Sequence, residues 1–128
     1  RKNINQIIDM QKKKTGKLFN FCLTSVGIVS ERNRKDKIFL GNLGEDIGLL
    51  FQLADDFLDV KGEKEVVGKP LKKDKKKGKS TLINLMGYRK AFLFANSLKR
   101  KILLKLKKHG TNANDLIETI EFILGRNF

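Results

Sequence analysis

The sequence predicts an all-α protein, and two observations carry this prediction. A single proline, Pro70, occurs in 128 residues, so long stretches lack the residue that most strongly breaks helices. Apolar residues recur at three- and four-residue steps along most of the chain, which is the spacing of one buried helix face. They make up 40% of the chain, which suits the core of one modest domain or of a piece of one.

The first thirty residues predict two helices. Residues 3–13 form the first, and the tripeptide KTG at 14–16 is expected to interrupt it. Residues 17–30 form the second. Apolar residues at helical spacing are expected to form its buried face: Leu18, Cys22, Val26 and Val29. The lone cysteine thus reads as a small buried residue, and the lack of a second one fits a reducing compartment.

The third predicted helix runs from about Lys37 to Val60 and is the most apolar. Its second half, IGLLFQLADDFLDV, is apolar nearly all round, as in a helix that other helices surround. A lysine-rich loop is predicted at 61–79, because this segment contains three glycines, Pro70 and a cluster of lysines. These lysines are Lys69, Lys72, Lys73, Lys75, Lys76, Lys77 and Lys79.

Three further helices are predicted after the loop. Ser80 is expected to cap a short helix over 81–87. A long helix follows from about Tyr88 to Lys108, with one basic face and Gly110 in the left-handed position beyond its end. Its buried stripe is predicted to be Ala91, Phe94, Leu98, Ile102 and Leu106. The last helix is expected from about Asn114 to Leu124.

The net charge of +14 favours an anionic partner, and one interpretation is a basic helical module that binds nucleic acid. That interpretation does not account for three aspartates in the most apolar helix, and the loop lacks the aromatic residues that single-strand binding favours. The sequence GKST at 78–81 resembles the end of a P-loop, but Lys73 stands where that motif needs glycine. No apolar run is long enough to span a membrane, so we expect a cytoplasmic protein without stable membrane insertion.

The aspartates of the third helix indicate a metal site. Asp55 and Asp59 are one turn apart on one face, and Asp56 is turned about 100° away. Carboxylates in a central helix need a cation, and Mg²⁺ takes one or two of them together with phosphate oxygens. The lysine-rich loop that follows fits a polyanionic substrate. The alternative is that the aspartates only mark a solvated helix end.

These motifs, taken in order, closely resemble the trans-prenyl diphosphate synthases, the family of the farnesyl and geranylgeranyl diphosphate synthases. The resemblance rests on KTG at 14–16, FQLADDFLD at 51–59, GKP at 68–70, Asp74 and GKST at 78–81. They are similar to the second aspartate-rich motif of that family with its flanks. The resemblance covers essentially the whole chain and implies the family's all-α isoprenoid synthase bundle.

The resemblance also implies roles for individual residues. Asp55, Asp56 and Asp59 would hold Mg²⁺ on an allylic diphosphate. Lys14 and Lys69 would bind that diphosphate, and Lys79 would assist. Thr15 and Gln52 would face the reacting carbon and stabilise the allylic cation, with Gln52 also close to the diphosphate.

The family's first aspartate-rich motif and its isopentenyl diphosphate site have no counterpart here. The chain therefore resembles the C-terminal half of a synthase, and as a fragment it is expected to be inactive. The reaction implied for the whole enzyme is the condensation of dimethylallyl or geranyl diphosphate with isopentenyl diphosphate, which gives farnesyl or geranylgeranyl diphosphate in isoprenoid biosynthesis. A homodimer is implied at full length, with no nucleic-acid partner, and a longer-chain polyprenyl synthase is the alternative within the family.

Overall fold

The computed structural model describes residues 3–66 and 81–125, and all regular elements in these ranges are helical. The main helices are α1 (Ile4–Gln11), α2 (Lys17–Val29), α3 (Arg34–Val66), α4 (Leu82–Met86), α5 (Tyr88–Lys107) and α6 (Asn114–Gly125). A π-helical turn at Lys12–Gly16 joins α1 to α2, and a 3₁₀ turn at Gly110–Ala113 precedes α6. The prediction of an all-α fold is confirmed.

Helix α3 is the centre of the fold: α2 packs against it most extensively, α5 and α6 also pack on it, and α1 and α4 touch it only at a few residues. Its apolar residues between Leu43 and Phe57 are almost completely buried, except Phe51, which is half-buried. Helices α5 and α6 cover one side of α3 through Ala91, Ile102 and Ile120. The prediction that other helices surround the second half of α3 is confirmed in part: the described helices bury Leu50, Leu53 and Phe57, whereas Leu58 is half-buried and Asp59 is exposed.

The prediction that KTG interrupts the first helix is wrong. Residues 12–16 continue the helix as a π-helical turn, and the flanking residues Gln11 and Lys17 both have right-handed helical dihedral angles. A π-helical turn adds a residue to the helix without breaking it, and such turns are frequent at functional sites. Glycine and threonine weaken a helix, but here the packing of Gly16 against α3 outweighs their low propensity.

The predicted buried face of α2 is also wrong. Val26 and Val29 are 61% and 84% exposed, Leu18 is 63% exposed, and Cys22 is exposed as well. The opposite face, which includes Phe19 and Gly27, packs against α3 instead. The periodicity correctly identified an apolar face of α2, but the other described residues leave this face largely exposed.

The close packing of α2 on α3 depends on glycines at i, i+3 and i+7 of α3, namely Gly41, Gly44 and Gly48. A Cβ atom at position 44 would lie 2.6 Å from the carbonyl carbon of Phe19. At position 48 it would lie 2.8 Å from the Cα of Gly16. The two backbones are therefore in van der Waals contact at these glycines, and any larger side chain there would push α2 away from α3.

Three boundaries differ from the sequence-based expectation. Helix α3 begins at Arg34 and continues to Val66, so the first residues of the predicted loop at 61–79 are helical. The rest of that loop lies outside the described residues. Thr81 rather than Ser80 caps α4, because its side chain accepts a hydrogen bond from the backbone N–H of Asn84 at 3.1 Å.

The last helices agree with expectation. Helix α5 ends at Lys107, and Gly110 adopts a positive φ of 61° just beyond it. The predicted stripe of α5 is buried at Ala91, Leu98, Ile102 and Leu106, whereas Phe94 is half-buried. Helix α6 runs from Asn114 to Gly125 and buries Ile120 and Ile123.

Candidate active site

The candidate site lies where the π-helical turn meets the middle of α3. Two hydrogen bonds join the predicted residues: the hydroxyl of Thr15 donates to Oε1 of Gln52 at 3.2 Å, and Nε2 of Gln52 donates to Oδ1 of Asp56 at 3.3 Å. Thr15 and Gln52 are 37 positions apart in the chain. Their contact orients the amide of Gln52, with its oxygen towards the hydroxyl and its nitrogen towards the carboxylate.

The three aspartates differ in burial, as their helical spacing predicts. Asp56 is buried, with 8% exposure, Asp55 is half-buried, and Asp59 is exposed. Asp55 and Asp59 follow each other by one turn of α3. Carboxylates are the side-chain ligands that a hard divalent cation takes, so the chemistry of this face is compatible with such an ion.

The donor set fits Mg²⁺ as a partial coordination shell. No group of three or more His, Cys, Asp or Glu side chains within residues 3–66 and 81–125 is arranged to enclose a metal. Mg²⁺ usually binds through one or two carboxylates and completes its octahedral shell with waters and phosphate oxygens. An open set on α3 is therefore compatible with a metal shared between this helix and a phosphorylated ligand.

The remaining predicted site residues divide into two groups. Lys14 lies in the π-helical turn beside Thr15, with an exposed side chain. Lys69 and Lys79 lie outside the described residues. The structure thus places Lys14, Thr15 and the four predicted residues of α3 at one end of the α2–α3 pair.

A polar cluster that the sequence reasoning missed holds α2 next to this site. Glu45 of α3 accepts a hydrogen bond from Nζ of Lys17 at 2.7 Å and another from Nδ2 of Asn20 at 3.1 Å. Both partners lie within two turns of Thr15, so the cluster limits movement of α2 along α3. Its signal in the sequence is weak, because its members are 25 and 28 positions apart. The glycine spacing at 41, 44 and 48 is the stronger signal for this contact.

A second missed element is Asp46, which anchors α5 to α3. Asp46 is 6% exposed, and its Oδ2 atom lies 2.8 Å from Nζ of Lys105 and 3.3 Å from Nζ of Lys101. Burial of the carboxylate acts to raise its pKa. The hydrogen bonds and positive charges of Lys105 and Lys101 outweigh that effect and hold the pKa of Asp46 below its ordinary value.

We expect Asp46→Asn to lower the free energy of unfolding at neutral pH by about 1–3 kcal/mol, because a charge-assisted hydrogen bond is lost in a buried place. Since the pKa of Asp46 is lower in the folded chain than in the unfolded one, its contribution is complete above about pH 4 and disappears as the pH falls through the folded value. Urea unfolding of both chains at several pH values would measure this, and the two stabilities should converge in acid.

Asp9→Asn is the matched control, because among the described residues Asp9 pairs only with Lys13 at the surface, where an ion pair contributes about 0–1 kcal/mol. An Asp46→Asn chain as stable as the parent at neutral pH would contradict the anchoring role.

Three comparisons with known proteins agree on the family. The polyprenyl synthetase family model matches residues 1–123. The chain is 31% identical over 124 residues to the farnesyl diphosphate synthase of Micrococcus luteus, with 97% of this chain and 43% of that protein covered. It is 32% identical over 113 residues to the dimethylallyltranstransferase of Fischerella ambigua, with 88% and 33% covered.

The structural comparison gives the same family. An FPP/GFPP synthase from Zymomonas mobilis superposes with a TM-score of 0.77 at 31% identity, covering 95% of this chain and 39% of that one. The chain spans less than half the length of these relatives. The match of the family model along nearly the whole chain, on an all-α fold that a solved synthase shares, shows that the chain belongs to the polyprenyl synthetase family.

Proposed function

We propose that this chain is the part of a short-chain trans-prenyl diphosphate synthase that carries the second aspartate-rich motif and binds the allylic diphosphate. The enzyme would condense dimethylallyl or geranyl diphosphate with isopentenyl diphosphate and release farnesyl or geranylgeranyl diphosphate. The observation that carries this proposal is the hydrogen-bonded series from Thr15 through Gln52 to Asp56, beside Asp55 and Asp59. These contacts place the neutral oxygens of Thr15 and Gln52 next to the carboxylate of Asp56, which supports a single site that contains both kinds of group.

The chemistry explains why both kinds of group are needed. Breaking the allylic carbon–oxygen bond leaves a carbocation and a diphosphate anion. The oxygens of Thr15 and Gln52 can face the cation without bonding to it, and their mutual hydrogen bond keeps them in place at no cost during the reaction. Lys14, Lys69 and Lys79 would bind the diphosphate oxygens as compact positive charges.

Asp55 and Asp59, with Asp56 directly or through water, are the residues that would hold Mg²⁺. The bound ion supplies positive charge to the leaving diphosphate. Asp55 and Asp59 are the more direct candidates because they are more accessible than Asp56, whose carboxylate accepts a hydrogen bond from Gln52. Gln52 thus contacts both halves of the proposed site: its nitrogen bonds an aspartate of the metal-binding set, and its oxygen lies beside Thr15, where the allylic carbocation would form.

The exposed apolar face of α2 supports the inference that the chain is one portion of a larger synthase. Leu18, Phe21 and Val29 are each more than half exposed on this face. An apolar helix face of this kind normally packs against other helices. We infer that it packs against the portion that carries the first aspartate-rich motif and the isopentenyl diphosphate site, and that the isolated chain is inactive.

The proposed function is tested by assaying the enzyme that contains this chain with geranyl diphosphate and labelled isopentenyl diphosphate. We expect elongated product in Mg²⁺, and at least a hundredfold less after removal of the metal with EDTA, restored by added Mg²⁺. Equal turnover in EDTA would contradict the metal role, and no product from any allylic diphosphate would contradict the reaction. The product length separates farnesyl or geranylgeranyl diphosphate from the longer products of the alternative.

A further inference from the structure

Helix α5 has an outer face that combines basic residues with exposed leucines. The segment Tyr88–Lys107 contains seven basic residues and no acidic ones. On a helical projection the most outward row has steps of i, i+4, i+7, i+11, i+15 and i+18. Its members are Arg89, Leu93, Asn96, Arg100, Leu104 and Lys107, and all are exposed. We call this row the basic face, with Lys90 and Lys108 beside it.

The charges of the basic face are not used within the described part of the fold. Three lysines on the flank of α5 pair with carboxylates of α3 or α6: Lys99 with Glu121, and Lys101 and Lys105 with Asp46. No carboxylate of residues 3–66 or 81–125 forms an ion pair with Arg89, Arg100 or Lys107. Arg89, Arg100 and Lys107 thus have no ion-pair partner among the described residues, whereas Lys99, Lys101 and Lys105 on the flank of the same helix do.

The leucines of the basic face are part of the same pattern. Leu93 is 62% exposed and Leu104 is 57% exposed, and each lies one turn from an arginine of the row. The contrast with α2 is informative, since the exposed face of α2 consists of apolar residues without charges. The α2 face suits a protein interior, whereas two guanidinium groups and one ammonium group along a single row would be costly to bury there.

We propose that the basic face of α5 binds the surface of an anionic phospholipid membrane. Charge complementarity gives the attraction, and leucines between basic residues are typical of helices that lie in the plane of the lipid headgroups. From Arg89 to Lys107 the row is about 27 Å long at 1.5 Å per residue, so several headgroups can contact it at once. No helix within the described ranges could cross a membrane, and the proposed contact is peripheral.

The test is sedimentation of the chain with phosphatidylcholine vesicles that contain or lack phosphatidylserine. We expect binding only to the anionic vesicles, and weaker binding as salt rises. Arg89→Glu with Arg100→Glu should reduce the partition coefficient at least tenfold, because each basic side chain near an anionic surface contributes about fivefold. Arg89→Gln with Arg100→Gln should produce a smaller loss with the helical circular dichroism unchanged.

The matched control is Arg34→Glu with Lys35→Glu, which changes the net charge equally in the exposed first turn of α3. The lysine-rich segment at 67–80 is present in every variant. An equal loss in both double variants would mean that net charge rather than the basic face binds the vesicles, and this result would overturn the proposal.

A second pair of variants separates a membrane from another polyanion. Leu93→Ser with Leu104→Ser should weaken vesicle binding about tenfold or more, because two exposed leucines no longer enter the interface. The same variant should bind a DNA duplex as the parent chain does. Vesicle binding that survives the loss of both leucines, together with equal effects of the arginine changes on vesicles and DNA, would show a general polyanion surface and overturn the membrane assignment.

Discussion

Asp55→Ala in the enzyme that contains this chain is expected to lower kcat by at least a hundredfold, with only a small change in stability. The loss follows because Asp55 is the half-buried carboxylate of the pair on the accessible face of α3, and a metal–diphosphate contact supplies several kcal/mol to the reaction. Stability changes little because alanine is the better helix former and one member of a like-charged i, i+4 pair is removed. Steady-state turnover and thermal unfolding measure the two quantities.

Asp55→Asn separates charge from shape, because asparagine keeps the volume of the side chain but is a poor ligand for Mg²⁺. It should lose nearly as much activity as Asp55→Ala, with a raised Mg²⁺ requirement. Asp115→Ala is the control, since Asp115 lies in the exposed first turn of α6 and should leave turnover intact. Unchanged turnover in Asp55→Ala would contradict the proposed function of α3.

Gly44→Ala is expected to destabilise the fold by about 1–3 kcal/mol or more, although alanine is intrinsically preferred in a helix by about 1 kcal/mol. The added methyl carbon would lie 2.6 Å from the carbonyl carbon of Phe19 and 2.8 Å from the backbone nitrogen of Asn20. These are backbone atoms of α2, so no side-chain rotation can relieve the contact. Urea or thermal unfolding of the two chains measures the difference.

Gly125→Ala is the matched control, because a Cβ atom there meets nothing within 4 Å at the end of α6. It should leave stability unchanged or slightly higher. A Gly44→Ala chain as stable as Gly125→Ala would contradict the close packing of α2 on α3. Since the same packing brings Thr15 to Gln52, a displaced α2 should also lower turnover in the enzyme that contains this chain.

The all-α class, the order of the helices and most of their core residues were predictable from the sequence. The stripe of α5 is an example, because apolar residues at helical spacing on a helix with one basic face leave a single buried side. The end of α3 was not predictable, since glycine and charged residues at 61–66 weaken a helix only modestly and the helix continues through them. The face through which α2 packs was not predictable from α2 alone either, because it depends on the glycines of α3.

For the candidate site, the residue types and their order indicated the chemistry, and the structure determined which groups meet. The spacing of Asp55, Asp56 and Asp59 predicted that Asp55 and Asp59 share a face and that Asp56 is turned away, whereas the structure decided that Asp56 is the buried carboxylate. No local pattern could show that Thr15 donates to Gln52 across 37 positions. Hydrogen bonds of this kind depend on the rotation and distance of two helices, which long-range packing sets.

The sequence by itself determined the helical class, the carboxylate pattern of α3 and the resemblance to a synthase family, because helical periodicity and motif order are local properties of the chain. Only the tertiary structure decided that residues 12–16 form a π-helical turn, that α2 packs through the face with Phe19 and Gly27, and that Asp46 pairs with two lysines of α5. The physical reason is that close backbone contact and ion pairing depend on what a distant segment presents. Helix α2 has two faces that could be buried, and it packs through the one that is complementary to the glycines of α3.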